Sequence, residues 1–134
     1  MDRICLSHRR IKYPNYKLNY LNPLGFIFDL EIRDIAEYIK SAFFEGEDAL
    51  SYLKEVLRIT RLTPYSLSLL YARLLYPSYY FDIYEEIMNN LIEEEKIISI
   101  IEKSEDYEAF LHDAYIEINK YAPIEGIDWL LNKK

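Results

Sequence analysis

From Ile32 to the end of the chain, apolar side chains return every three or four residues, the period of an amphipathic helix. Ile35, Ile39 and Phe43 form one stripe, with Glu37 and Lys40 away from it, and Glu45-Gly46-Glu47 closes this first helix, Gly46 being suited to a left-handed cap. A second helix is expected over 48–60, with Leu50, Leu53 and Leu57 buried and Glu47-Asp48 at its positive end. Thr63-Pro64 predicts another start, because Thr caps free amides and Pro at the first position loses no hydrogen bond; this helix reaches Leu75. Pro77 breaks the pattern, since it pushes the residue before it out of helical geometry, and Ser78 is the expected cap of the next helix. There Tyr80, Phe81, Tyr84, Ile87, Met88 and Leu91 recur at helical spacing and are expected to fill the core. The acidic residues 93–95 precede Ile97, Ile98 and Ile101, a charge arrangement that complements a helix dipole without a metal. Ser104 is the expected cap of a long helix with Tyr107, Phe110, Leu111, Ala114, Ile118 and Tyr121 inward, and Pro123 stops it. The tail with Trp129, Leu130 and Leu131 is expected to pack back as a short closing helix.

The first thirty residues have a different texture. Residues 3–6 and 26–30 are apolar enough for buried strands, and Pro14-Asn15 and Asn22-Pro23-Leu24-Gly25 supply turn chemistry between them. The fold class expected is therefore mainly α, with a small β element near the N-terminus. No repeat, low-complexity tract or linker divides the 134 residues, so one domain is expected, with 1–31 carrying the β element and 32–134 a helical bundle.

Charge and cysteine usage then narrow the partners and the compartment. A net charge of -7 and a pI near 4.9 argue against a nucleic-acid backbone or an anionic membrane surface. One basic cluster, Arg3, Arg9, Arg10 and Lys12, is short and reads as a solvated loop. Cys5 is the single cysteine, which excludes an internal disulfide and fits the reducing cytoplasm. No apolar run reaches the roughly 18 residues of a membrane span. The fourteen tyrosines exceed what core filling needs, and Tyr is favoured at interfaces.

Four polar residues, His8, Asn15, Asp29 and Asp34, are candidates for chemistry. His8 reads either as a catalytic-loop residue or as a neutral side chain bonded to a carbonyl, and Asn15, after Pro14, reads as a metal ligand or as an Asx-turn former. Asp29 ends an apolar run where a carboxylate could bind Mg²⁺ or close a turn. Asp34 reads as the cap of a helix starting near Ile35, and His112, beside Asp113, as a surface residue.

The string His8-Arg9-Arg10-Ile11-Lys12-Tyr13-Pro14-Asn15, followed by Gly25-Phe26-Ile27-Phe28-Asp29, resembles the catalytic loop of the aminoglycoside phosphotransferase and choline kinase-like family. In that family a His-x-Asp opens the loop, an Asn follows five residues after the Asp, and an apolar strand delivers a metal-binding Asp. Asp34-Ile35-Ala36 resembles the helix start after the metal Asp, and Leu62-Thr63-Pro64 with Leu69-Leu70-Tyr71-Ala72-Arg73-Leu74-Leu75-Tyr76-Pro77 is similar to later helices of its bacterial spore-coat branch. The resemblance implies a helical kinase-like C-lobe with His8 in the catalytic loop and Asn15 and Asp29 as metal ligands. It also implies that the base is lost, because Arg10 stands where the catalytic Asp belongs and a protonated guanidinium cannot accept a hydroxyl proton.

No Gly-rich loop or Val-Ala-x-Lys strand is present, so this chain is expected to bind no cofactor, with Mg²⁺ and ATP entering only if a complementary N-lobe is supplied. Three functions follow from these readings: a degenerate, non-catalytic phosphotransferase-like C-lobe that binds or scaffolds; an unrelated helical protein-interaction module; or the C-lobe of an active small-molecule kinase. A protein partner or self-association is expected through residues 1–31, where Ile11, Leu24, Phe26 and Phe28 would form an apolar patch.

Overall fold

The computed structural model describes residues 4–8, 26–89 and 95–132, and among them the chain is mainly α. Strands β1 (Ile4–His8) and β2 (Phe26–Leu30) form an antiparallel pair, with Ile4 opposite Leu30 and His8 opposite Phe26. Helices follow at α1 (Glu31–Phe44), α2 (Ala49–Ile59), α3 (Pro64–Leu75), α4 (Ser78–Met88), α5 (Glu95–Glu102), α6 (Ser104–Asn119) and α7 (Asp128–Leu131). The strand pair lies against α1; α1 packs on α2 and α3, α6 covers α2 and α3, and α5 joins α4 to α6.

Local signals account for most helix ends. After α1 the Glu47 amide bonds the Ala42 carbonyl and the Gly46 amide bonds that of Phe43, the paired bonds of a Schellman cap. Gly46 supplies the required left-handed conformation at φ 85°. Asp48 caps α2 by accepting from the Ser51 amide at 3.1 Å, and Thr63 caps α3 by accepting from the Ser66 amide at 3.0 Å, with Pro64 in the first turn.

Other ends and faces differ from the pattern. β2 runs directly into α1 at Glu31, so Asp34 lies in the first turn of the helix rather than at its cap. The inner face of α1 is Ile32, Ala36, Ile39, Lys40 and Phe44, while Ile35 and Phe43 are half-buried. Lys40 was expected outside and is 2% exposed, because Glu37, Ser78 and the Tyr76 carbonyl satisfy its ammonium. Pro77 occupies the cap position of α4 and Ser78 is its first helical residue, with its hydroxyl committed to that same junction.

This anchoring sets the rotation of α4. Tyr79 stacks on Phe44 with ring centroids 4.3 Å apart, and Ile83 one turn later joins the core. Tyr80 and Ile87 are half-buried, whereas Phe81, Tyr84 and Met88, all expected inside, are exposed; Leu91 lies outside the described residues. In α5 it is Ile100 that is buried, with Ile98 and Ile101 outward. Lys103 holds the cap position of α6, so Ser104 is helical, and Lys103 donates to the Phe44 carbonyl at 2.9 Å. Tyr107, Phe110, Leu111, Ala114 and Ile118 are buried as expected, but Tyr121 falls beyond the helix and is exposed. At the C-terminal end Leu130 is buried and Trp129 is exposed, since a single turn can turn only one of two neighbours inward.

Aromatic rings cluster where α1, α4 and α6 meet. Phe43, Phe44, Tyr79, Tyr107 and Phe110 make edge, tilted and stacked contacts with centroid separations of 4.3–5.5 Å. The Tyr107 hydroxyl donates to the Leu74 carbonyl, so the buried ring leaves no polar atom unpaired. Burial holds the Tyr107 and Tyr79 hydroxyls above their usual range, that of Tyr79 at about 12.

Candidate functional site at the strand pair and first helix

The two strands place two of the four candidates on one backbone frame. His8 is the last residue of β1, opposite Phe26, and Asp29 is in β2, opposite Cys5. They are three register steps apart, about 10 Å along the strand pair at the usual rise. Arg10 and Asn15 lie outside the described residues. Among the described residues no group of three or more His, Cys, Asp or Glu side chains is placed to hold a metal.

Asp34, one turn into α1, pairs with Arg33 at 3.2 Å and lines a cleft between α1 and α2 of about 330 Å³. Ile35, Tyr38, Ile39, Tyr52 and Val56 form its walls, and among the described residues Asp34 and Glu55 are its charged lining. Tyr38 and Tyr52 meet edge to face across it at 5.9 Å. The Tyr38 hydroxyl is held above its usual range, first by burial and then by the neighbouring Tyr52 and Glu47. A cleft of this character selects an apolar group and leaves charge to its rim.

Beneath α1 is a polar junction that periodicity alone hides. Lys40 Nζ lies 2.8 Å from Glu37 Oε1, 3.2 Å from the Tyr76 carbonyl and 2.5 Å from Ser78 Oγ. The Ser78 hydroxyl accepts from Lys40 and donates to Glu37, at 3.1 Å from both carboxylate oxygens. Burial pulls the Lys40 ammonium below its usual range, and Glu37 opposes the shift by charge and hydrogen bonding. Every ammonium proton therefore has an acceptor, and the junction ties α1 to the α3–α4 corner as a structural cross-link. The signal available in the sequence was the i,i+3 Glu37–Lys40 pair beside the Tyr76-Pro77-Ser78 break. His112 is partly exposed, its Nδ1 3.6 Å from Asp113, in keeping with a surface residue.

Comparison with known proteins adds what the geometry does not. A family model described as "Spore coat putative kinase YutH" matches residues 1–114. The "Endospore coat-associated protein YutH" of Bacillus subtilis (strain 168) is 32% identical over 144 aligned positions, which cover 96% of this chain. The chain spans 42% of the length of that relative. No solved structure matches it.

Proposed function

The chain belongs to the YutH family of spore-coat proteins, and from that premise we propose that it is a degenerate phosphotransferase-like C-lobe that binds or scaffolds rather than catalyses. The observation that carries this reading is Arg10. His8 and Asn15 keep the spacing of a kinase catalytic loop, and the position between them that needs a proton acceptor holds a permanent cation. The family description, which names a kinase, supports the phosphotransferase-like part of the reading. The coat association named for the relative supports the binding half.

In this reading the strand pair and α1 are what remains of a catalytic floor, Asn15 and Asp29 are the former metal ligands, and residues 1–31 are the surface for a protein partner or a second copy. The 134 residues act as one unit, in the coat or in the reducing cytoplasm that the single Cys5 thiol fits.

The test is γ-phosphate transfer and Mg-ATP binding, measured on this chain and on any longer chain that carries it. No transfer to hydroxyl acceptors is expected, because the base is absent. Phosphate transfer, accompanied by a micromolar ATP affinity that vanishes in Asp29→Ala, would establish instead an active small-molecule kinase, the second reading that the family description favours. Light scattering tests the association surface: a dimer or complex dissociated by Phe26→Glu is the expected result, and a strict monomer at tens of micromolar opposes it.

A further inference from the structure

A second cavity, of about 300 Å³, lies where the end of α2, the α2–α3 loop and the start of α3 meet the chain just beyond α6. Leu57, Leu62 and Leu67 supply its apolar lining, Leu57 and Leu67 from the core and Leu62 half-buried against it. Its polar lining is Arg58, Thr60, Arg61 and Tyr121, and among the described residues it includes no carboxylate. The α1–α2 cleft has the opposite character, since its charged lining is acidic. In a chain of net charge -7, a cavity lined by two guanidinium groups runs against the overall composition.

The fold employs only part of this polar set. Arg58, in the last turn of α2, complements the negative end of that helix and gives its Nε and Nη2 edge to Glu55, which leaves Nη1 without an acceptor among the described residues. The Thr60 hydroxyl is committed to the Val56 carbonyl. Arg61, two residues beyond α2, is exposed and makes no hydrogen bond or ion pair among the described residues. Tyr121 is exposed and close enough to Arg58 for the two to interact electrostatically. A surface arginine is ordinarily just solvated. Arg61 differs in its company: a second guanidinium, a phenol and three leucines share one cavity with it.

We propose that this cavity binds a small organic carboxylate, with its apolar body against Leu57, Leu62 and Leu67 and its carboxylate held by Arg61, assisted by Arg58 Nη1 and the Tyr121 hydroxyl. The planar guanidinium fork of Arg61 matches a carboxylate in a bidentate pair. The volume is at the small end for ligand sites and limits the body to a ring or a short alkyl chain. A single negative charge is also the one least opposed by the acidic protein around it, whereas inorganic phosphate carries more charge and has nothing to place against the leucines. This site lies outside residues 1–31 and does not depend on the kinase-like reading.

The probes are phenylacetate and hexanoate, with phenylacetamide as the neutral isostere and inorganic phosphate as the anion without an apolar body. Binding to the full chain is followed by calorimetry and by backbone amide shifts. The expected result is saturable binding of either acid with a Kd of about 1 mM or tighter, the scale that about ten heavy atoms support, and shifts centred on residues 57–67 and Tyr121. Phenylacetamide should bind about tenfold more weakly than phenylacetate, and Arg61→Gln should weaken the acid about tenfold, the loss of a charge-assisted hydrogen bond. The circular dichroism of this variant should be unchanged, because Arg61 is exposed. Arg61→Lys should recover part of the affinity, since it restores the charge without the fork. Absence of saturable binding by both acids, equal affinity for acid and amide, tighter binding of phosphate, shifts centred elsewhere, or indifference to Arg61→Gln overturns the inference. None of these outcomes involves ATP or Asp29, so this inference and the proposed function fail separately.

Discussion

Tyr79 and Phe81 are two residues apart on α4 and have opposite fates. Tyr79 stacks on Phe44 inside a nest completed by Phe43, Tyr107 and Phe110, whereas Phe81 stands in water beside Tyr76. Composition does not separate the two regions, since both are built from Phe and Tyr at helical spacing. What separates them is the rotation of α4 about its axis, fixed at its first turn where Ser78 is held by Lys40 and Glu37. Aromatic content reports the capacity to bury surface, and a polar anchor decides which aromatics do so.

The largest expected contrast lies between the two regions themselves. Phe110→Ala should cost about 3–5 kcal/mol, through lost contacts and a cavity beside Phe43 and Tyr107, whereas Phe81→Ala should stay within about 0.5 kcal/mol. Denaturant midpoints of the two variants measure this, and equal losses would mean that the outer row is packed in solution.

Next comes the anchor. Lys40→Ala should cost about 3 kcal/mol, because Glu37, the Ser78 hydroxyl and the Tyr76 carbonyl lose the cation that unites them. If the anchor sets the phase of α4, near-ultraviolet dichroism from the Phe44–Tyr79 stack should diminish in this variant, while Phe81→Ala leaves it unchanged.

A smaller effect concerns Tyr71, buried on α3 with its ring 5.7 Å from that of Tyr115. Among the described residues its hydroxyl has no hydrogen-bond partner. Tyr71→Phe should therefore be neutral or stabilising by up to about 1 kcal/mol, since it removes a desolvated polar group without opening a cavity. A loss of stability would reveal a partner for the hydroxyl.

The nest should also carry an alkaline signature that the outer row lacks. In the unfolded chain Tyr79 and Tyr107 ionise near 10.0, while in the folded protein Tyr79 holds its proton to about 12 and Tyr107 beyond that. Above pH 10 the folded state thus binds more protons than the unfolded state, so the stability these groups contribute is complete below pH 10 and declines as pH rises through 12. Lys40, shifted the other way, opposes the decline on the acid side of its usual value. Chemical denaturation between pH 9 and 12 checks the sign, and Tyr79→Phe should flatten the slope.

Much of the fold was legible in local sequence because its causes are local. Asp48, Thr63-Pro64 and Gly46 announce their ends through hydrogen bonds and backbone freedom that span no more than five residues. The inward face of α6 from Tyr107 to Ile118 follows from periodicity over four turns, long enough to fix the phase. The short α4 has three turns with aromatics on both sides, so its period was readable and its phase was not. Of the candidate chemistry, the spacing of His8, Arg10 and Asn15 is a property of the chain alone, and the strand pair that carries His8 and Asp29 follows from two apolar runs with turn residues between them.

By itself, then, the sequence determined the helix ends at Gly46, Asp48 and Thr63-Pro64, the strand pair and the acidic charge, because each depends on residues close along the chain or on a side chain's own chemistry. Only the tertiary structure decided that Lys40 is inside and that Phe81, Tyr84 and Met88 are outside. Both outcomes rest on contacts across more than thirty residues, where the ammonium of α1 finds the carbonyl and hydroxyl of the α3–α4 corner.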